Sequence, residues 1–356
     1  MENNRINNLR KIMKDHDWDA FLVTSRANRY YISNFTGTYG RVLIDANNQY
    51  IIADGRYFTQ IKKQAPDFAV VNDELLLSES IANLIKKNGY RTLAIESTEM
   101  NVDQYLKIKA INNINIVPTQ DIIESLRMHK DNSERSKIEK ADEIADKAFE
   151  HIKEFIRPGL TEREVANELD NYGLKLGAST RAFETIVASG YRSAMPHGHA
   201  SNKVIENNEL IVIDFGFQYD KYYSDVTRTV ALGKVDSKLY DIYEIDKEAQ
   251  QAAIDSCEIG KPLVEIDAAA RNVINKYGYG EYFLHGLGHG LGLSVHEYPL
   301  LNQNSKAKME ERMTFTTEPG IYIEGLGGVR IEDNIFMSEE DKPIRMTKSS
   351  REWYQL

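Results

Sequence analysis

Apolar and polar positions follow two periods along this chain, and the switches between them mark its elements. Residues 5–16 carry apolar side chains at helical spacing. The apolar run Ala20 to Val23 reads as a strand, and Arg41 to Asp45 and Gln49 to Ala53 read as a hairpin around Asn47-Asn48. Ala69 to Val71, Thr92 to Ile95 and Ile114 to Val117 are further short strands with helical patterns between them. The spacing therefore predicts a mixed α/β domain ending near residue 125. The polar stretch Met128 to Glu134 then reads as a linker into a long helix reaching about Phe155.

Beyond it a weak internal repeat is expected. Pro158-Gly159-Leu160 leads into a helix at Thr161, with Glu164 three residues later as in a capping box. Gly260-Lys261-Pro262-Leu263 leads into a similar helix running through Ala268 to Tyr277. A longer helix precedes each and strand-like segments follow each, which would set two equivalent halves around a shared sheet.

Composition narrows the classes. The chain has 356 residues, 42% hydrophobic and 28% charged, as in an ordinary globular protein of two domains. A net charge of -10 repels phosphate backbones, so no nucleic-acid partner is expected. The lone cysteine, Cys257, cannot form an internal disulfide, and its neighbours suggest helix packing rather than catalysis. With no apolar run of signal-peptide or membrane-span length, the expected location is cytoplasmic.

The candidate chemistry lies in three segments. In Leu210 to Val230, two β-rich runs flank Tyr219-Asp220, and a hairpin centred there sets Asp214 opposite Asp225 in an apolar strand. In Thr314 to Phe336, a turn centred on Gly325 sets Glu318 opposite Glu332, with Pro319 disturbing the register. Between them runs His285-Gly286-Leu287-Gly288-His289-Gly290-Leu291-Gly292, followed by His296-Glu297. Leu291 falls where a dinucleotide-binding GxGxxG needs its third glycine, so that motif is absent. A single Asp in a strand is usually solvated and a single His usually structural. Two juxtaposed acid pairs around a Gly/His run change the balance, because buried carboxylates need a shared proton or a cation. Four carboxylates and an imidazole suit two hard or borderline divalent ions.

These residues resemble the pita-bread-fold metallopeptidases, especially Xaa-Pro dipeptidase (prolidase) and aminopeptidase P, over essentially the whole chain. The resemblance implies an α/β (α+β) fold: a creatinase-like N-terminal domain over residues 1–126, then a pita-bread catalytic domain with a pseudo-twofold repeat over 127–356. It implies Asp214 on one ion, His289 and Glu318 on the other, and Asp225 and Glu332 bridging. Manganese is the expected metal, with cobalt or zinc as alternatives. Glu318 would carry a proton to the leaving nitrogen, His296 would donate to the developing oxyanion, His197 and His285 would line a proline pocket, and Arg330 would support the centre. Short proline-containing peptides are the implied substrates and a homodimer the implied assembly. One position departs from the pattern: Leu300 stands where many relatives carry an arginine, leaving Lys306 or a residue of the N-terminal domain to grip a dipeptide's carboxylate. Two rivals keep the fold. A metal-free creatinase-like amidinohydrolase predicts a broken ligand set, and a metal-free binding scaffold predicts no bound ions.

Overall fold

The computed structural model describes residues 2–73 and 77–356, which divide into two units, Met1–Arg127 and Met128–Leu356. Among the described residues no helix is long and apolar enough to cross a membrane. The first unit runs α1 (Glu2–Asp15), β1 (Ala20–Val23), α2 (Arg26–Ser33), β2 (Arg41–Asp45), β3 (Gln49–Ala53), α3 (Phe58–Gln64), β4 (Ala69–Asn72), α4 (Leu77–Asn88), β5 (Thr92–Glu96), α5 (Val102–Lys109), β6 (Asn115–Thr119) and α6 (Ile122–Arg127). Its strands form one mixed sheet in the order β4-β3-β2-β1-β5-β6. The β2–β3 hairpin turns because the Asp45 carboxylate accepts the backbone N–H groups of Asn47 and Asn48 at 2.7 and 2.6 Å.

The second unit opens with α7 (Asn132–Phe155) and α8 (Glu162–Lys175). Each starts at a complete capping box, Asp131 with Glu134 and Thr161 with Glu164. Next come β7 (Thr180–Arg181), β8 (Ile186–Ser189), β9 (Glu209–Phe215), β10 (Phe217–Tyr219), β11 (Tyr222–Tyr223) and β12 (Val226–Leu232). The second half repeats this order: α9 (Ser237–Asp255), α10 (Leu263–Lys276), β13 (Gly288–Gly290), β14 (Glu297–Leu301), β15 (Thr314–Thr317), β16 (Gly320–Ile323), β17 (Gly327–Arg330), β18 (Asp333–Met337) and β19 (Pro343–Arg345).

The repeat extends to hydrogen bonds. Gly159 N–H donates to Ile205 O at 3.0 Å, and Gly260 N–H donates to Met309 O at 2.8 Å. Ile205 N–H returns to Leu160 O, and Met309 N–H returns to Lys261 O, both at 2.8 Å. Both glycines sit at positive φ, 93° and 87°, where a side chain would be strained. The three-strand order β8-β9-β12 recurs as β13-β15-β18. Each half packs its own apolar cluster, one around Ile144, Phe149, Ile213 and Val230, the other around Ile242, Ile266, Phe315 and Ile335. Strands β9 and β12 are buried almost throughout, and each buried Ile, Val or Phe contributes about 1.5–3 kcal/mol.

Two expectations are corrected. The stretch Met128 to Glu134 is no loose linker. His129 bridges to Met313, and the Lys130 side chain is buried against Glu297. The hairpin of β9 and β12 is centred on Asp220-Lys221 rather than Tyr219-Asp220, because those two residues form a tight turn with φ of 44° and 75°. Asp214 therefore pairs with Thr227, two residues beyond the expected Asp225.

Candidate metal centre

Strand period explains why the two-residue slip does no harm. Residues two apart share a face, so Asp225 and Thr227 lie on the same side and Asp214 faces Asp225 diagonally. In the second half the register matches the expectation. Gly320 pairs with Arg330 in one ladder and Thr317 with Asp333 in the other, so Glu318 and Glu332 stand opposite in the break between them. Pro319, which has no N–H to give a ladder, falls in that break.

His289 joins both pairs. Its Nε2 lies 3.6 Å from Asp225 Oδ2 and 3.3 Å from Glu318 Oε1. Asp225, His289 and Glu332 offer ligand atoms within 4.8 Å of one another. Nδ1 of His289 faces Gly290 O at 3.1 Å, so it carries the proton and leaves Nε2 bare toward the carboxylates. Burial holds the His289 imidazole below its ordinary range, which keeps it neutral.

The acids are expensive where they stand. Burial, then repulsion from Glu332, Asp214 and Glu318, pushes the Asp225 carboxyl well up. Burial and the neighbouring Glu318 and Asp214 do the same to Glu332, and burial raises Glu318. Hydrogen bonds satisfy only part of the set. Arg330 Nη2 donates to Asp214 Oδ2 at 2.6 Å and Thr227 Oγ1 to Glu332 Oε2 at 2.7 Å, while Thr316 Oγ1 donates to Glu318 Oε1 at 3.1 Å. Asp214 Oδ1 and Glu332 Oε1 remain buried with no hydrogen-bond partner. Oxygen-rich donors, one bare imidazole nitrogen and two orphaned carboxylate oxygens fit divalent cations.

A cavity of about 380 Å³ opens onto this cluster. It brings together every residue expected from the sequence: His197, Asp214, Asp225, His285, His289, His296, Glu318, Arg330 and Glu332. Pro196 and Leu300 add apolar wall to it. The sequence reading missed Phe183 and Ile186, which extend that wall, and His199, an imidazole that the Pro196-His197-Gly198-His199 run could have suggested. Tyr322 was also missed. Its hydroxyl accepts from Arg330 Nη1 at 2.7 Å and sits 3.0 Å from His285 Nε2, while His285 Nδ1 meets Gly286 O at 2.8 Å. Both ring nitrogens of His285 are thus engaged, so it lines the cavity with its ring. Lys306 is exposed and does not line the cavity. Arg330 commits four of its five N–H donors, to Asp214, Tyr322, Thr227 Oγ1 at 3.0 Å and Pro196 O at 3.1 Å.

The site is thus of the kind that holds divalent cations between paired carboxylates and an imidazole. Residues 136–339 match the profile of Metallopeptidase family M24, and residues 5–129 match the Creatinase/Prolidase N-terminal domain. The Xaa-Pro dipeptidase of Pyrococcus furiosus is 40% identical over 358 residues, covering 98% of this chain and 99% of that protein. A Xaa-Pro dipeptidase from Bacillus anthracis superposes with a TM-score of 0.97 at 42% identity over 100% of both chains. An X-Pro aminopeptidase from Thermotoga maritima superposes at 0.89 with 36% identity, over 96% of this chain and 98% of that one. The chain belongs to Metallopeptidase family M24, a two-part peptidase with a pita-bread catalytic domain.

Proposed function

We propose that this peptidase hydrolyses Xaa-Pro dipeptides at a centre of two divalent ions, most simply Mn²⁺. Asp214 would hold one ion, His289 and Glu318 the other, and Asp225 and Glu332 both. The observation that carries this is the pair of buried, unpartnered oxygens, Asp214 Oδ1 and Glu332 Oε1, beside a bare His289 Nε2. When bound, such ions supply Lewis acidity, lowering the pKa of water and polarising a carbonyl.

The chain's own groups do the rest. Burial raises the Glu318 carboxyl, which favours its taking up a proton and handing it to the leaving nitrogen. Burial lowers the His296 imidazole, leaving a neutral ring whose N–H can donate to charge developing on the carbonyl oxygen. Phe183, Ile186, Pro196 and Leu300 form an apolar wall of a kind that suits a pyrrolidine ring, and His197 stands beside it. The names of the Pyrococcus and Bacillus relatives support the dipeptide substrate.

One observation favours aminopeptidase P-like cutting of longer peptides as a second reading. Among the described residues lining the cavity, Arg330 is the one permanent cation, and four of its five donors are bonded within the protein. Metal-free scaffold and creatinase-like readings are not favoured by the match to a metallopeptidase family. A cytoplasmic location and a homodimer complete the reading. The buried free thiol of Cys257 supports the first, and the family resemblance supports the second.

The test incubates metal-stripped protein with Mn²⁺ and a Xaa-Pro dipeptide, a Xaa-Pro-Xaa tripeptide and a Xaa-Ala control. Metal-dependent cutting of the dipeptide alone supports the proposal, cutting of the tripeptide in preference supports the second reading, and no cutting under any ion sinks both.

A further inference from the structure

The segment that carries His296 is tied at its start by backbone hydrogen bonds, Leu291 N–H to Thr314 O at 3.3 Å and Tyr223 N–H to Gly292 O at 2.9 Å. Residues 291–296 form no regular element. Among the described residues the His296 ring makes no hydrogen bond, and it leans on His289 with ring centroids 4.2 Å apart. Where its imidazole sits is therefore decided by the backbone beneath it.

That backbone is bolted by a buried ion pair, whose carboxylate also acts on the His289 imidazole. Glu297, next in sequence, accepts from Lys130 Nζ at 2.9 Å, and the two side chains are 5% and 1% exposed. Its other oxygen accepts the Ser294 N–H at 3.2 Å, so one carboxylate spans the loop from residue 294 to 297. Lys130 is itself anchored: its N–H donates to Arg312 O at 2.9 Å, and its carbonyl accepts from Arg312 Nε at 2.8 Å. Gly292 makes room for the pair. A Cβ there would lie 2.6 Å from Glu297 Oε1 and 3.1 Å from Lys130 Cε. Charges so far from water tolerate little change of geometry, because parting them strands a buried charge.

We propose that Lys130 is a positioning residue for His296, acting through Glu297, and that the buried ion pair fixes the imidazole where it donates to the substrate carbonyl. The catalytic consequence rests on the peptidase reading above; the positioning does not.

The test separates the two. In metal-free protein with ¹⁵N-labelled histidine, Lys130→Met is expected to shift or broaden the His296 ring signals in the NMR spectrum and leave those of His151 in place. In the Mn²⁺-loaded enzyme with a Xaa-Pro dipeptide, Lys130→Met should lower kcat about tenfold or more and change KM less than about twofold, since only transition-state contacts are lost. Lys130→Arg should recover most of that loss. In a His296→Ala background, Lys130→Met should cost less than about twofold, because the two act as one unit. An unmoved His296 signal, or a full-sized Lys130→Met effect without His296, overturns the proposal. If Lys130→Met does not fold, Glu297→Gln breaks the same ion pair from its other side in both arms. An inactive wild-type enzyme would count against the peptidase reading, and the NMR arm would still decide the positioning.

Discussion

Arg330 holds one oxygen of Asp214, donating from Nη2 to Oδ2 at 2.6 Å, and leaves the other oxygen without a partner. The guanidinium turns the carboxylate and locks it, so that Oδ1 is presented rather than merely nearby. Such outer contacts tune a metal site as strongly as the ligands. Arg330→Lys keeps the charge but cannot reach Asp214, Tyr322, Thr227 and Pro196 O together. Mn²⁺ affinity, measured calorimetrically, should fall about 10–100-fold.

Neutralising Asp225, a proposed ligand, should have opposite effects on the empty and loaded protein. Asp225 is pushed up by burial first and then by Glu332, Asp214 and Glu318. Asp225→Asn removes one charge from that crowd. The metal-free variant should therefore melt higher than metal-free wild type, by about 2–4 °C per kcal/mol relieved in a domain of this size. With Mn²⁺ the order should reverse, and nearly all activity should be gone. Wild-type turnover in the variant would refute the bridging assignment.

The same crowding sets a pH dependence. Unfolded carboxyls ionise near pH 4, whereas Asp225, Glu318 and Glu332 hold their protons to higher pH when folded. Between those limits unfolding releases protons, so the stability of metal-free protein is greatest below the unfolded pKa and falls as pH rises. Melting in chelator should be higher at pH 5 than at pH 8. Ions bind the deprotonated acids, so Mn²⁺ affinity should rise over the same interval.

A separate buried acid invites a sharper version. Asp142 Oδ1 accepts from Asn334 Nδ2 at 2.6 Å, while Asp142 Oδ2 and Asn334 Oδ1 are both buried without partners. Burial pushes the Asp142 carboxyl well up, with Asp146, Asp333 and Glu139 adding to it. A proton on Oδ2 would pair the two orphans. Asp142→Asn supplies that donor permanently, so urea unfolding at pH 8 should show stabilisation of about 1 kcal/mol. The gain should shrink toward pH 5, where keeping the proton on the folded wild-type acid costs less than at pH 8.

Leu300 lines the cavity and is 41% exposed, room enough for a longer side chain. Leu300→Arg should lower KM for a Xaa-Pro dipeptide about tenfold, worth about 1.4 kcal/mol, and help a tripeptide less. Equal gains on both substrates would mean that the arginine does not meet the carboxylate.

Legibility followed locality. The Glu318–Glu332 register was readable because Gly325 marks its turn, at a φ of 79°. The Asp214–Asp225 register was misplaced because Asp220 and Lys221 are not glycine, yet adopt the positive φ of the turn. Lys130 was unreadable for a different reason. Its partner, Glu297, is 167 residues away, and a charge in a polar stretch looks solvated until the fold covers it. Tyr322 and Thr227, which orient Arg330, have ordinary strand neighbours and leave no mark at all.

The repeat also governs how the centre comes into being on a growing chain. Asp214 and Asp225 belong to the first half, His289, Glu318 and Glu332 to the second, and the halves have separate apolar clusters. Until the second half is made, the first half carries Asp214 and Asp225 without the groups that meet them in the folded protein. His289, Glu318 and Glu332 all follow Asp225 in the sequence. The site therefore takes its finished geometry only once both halves have been made and have packed together.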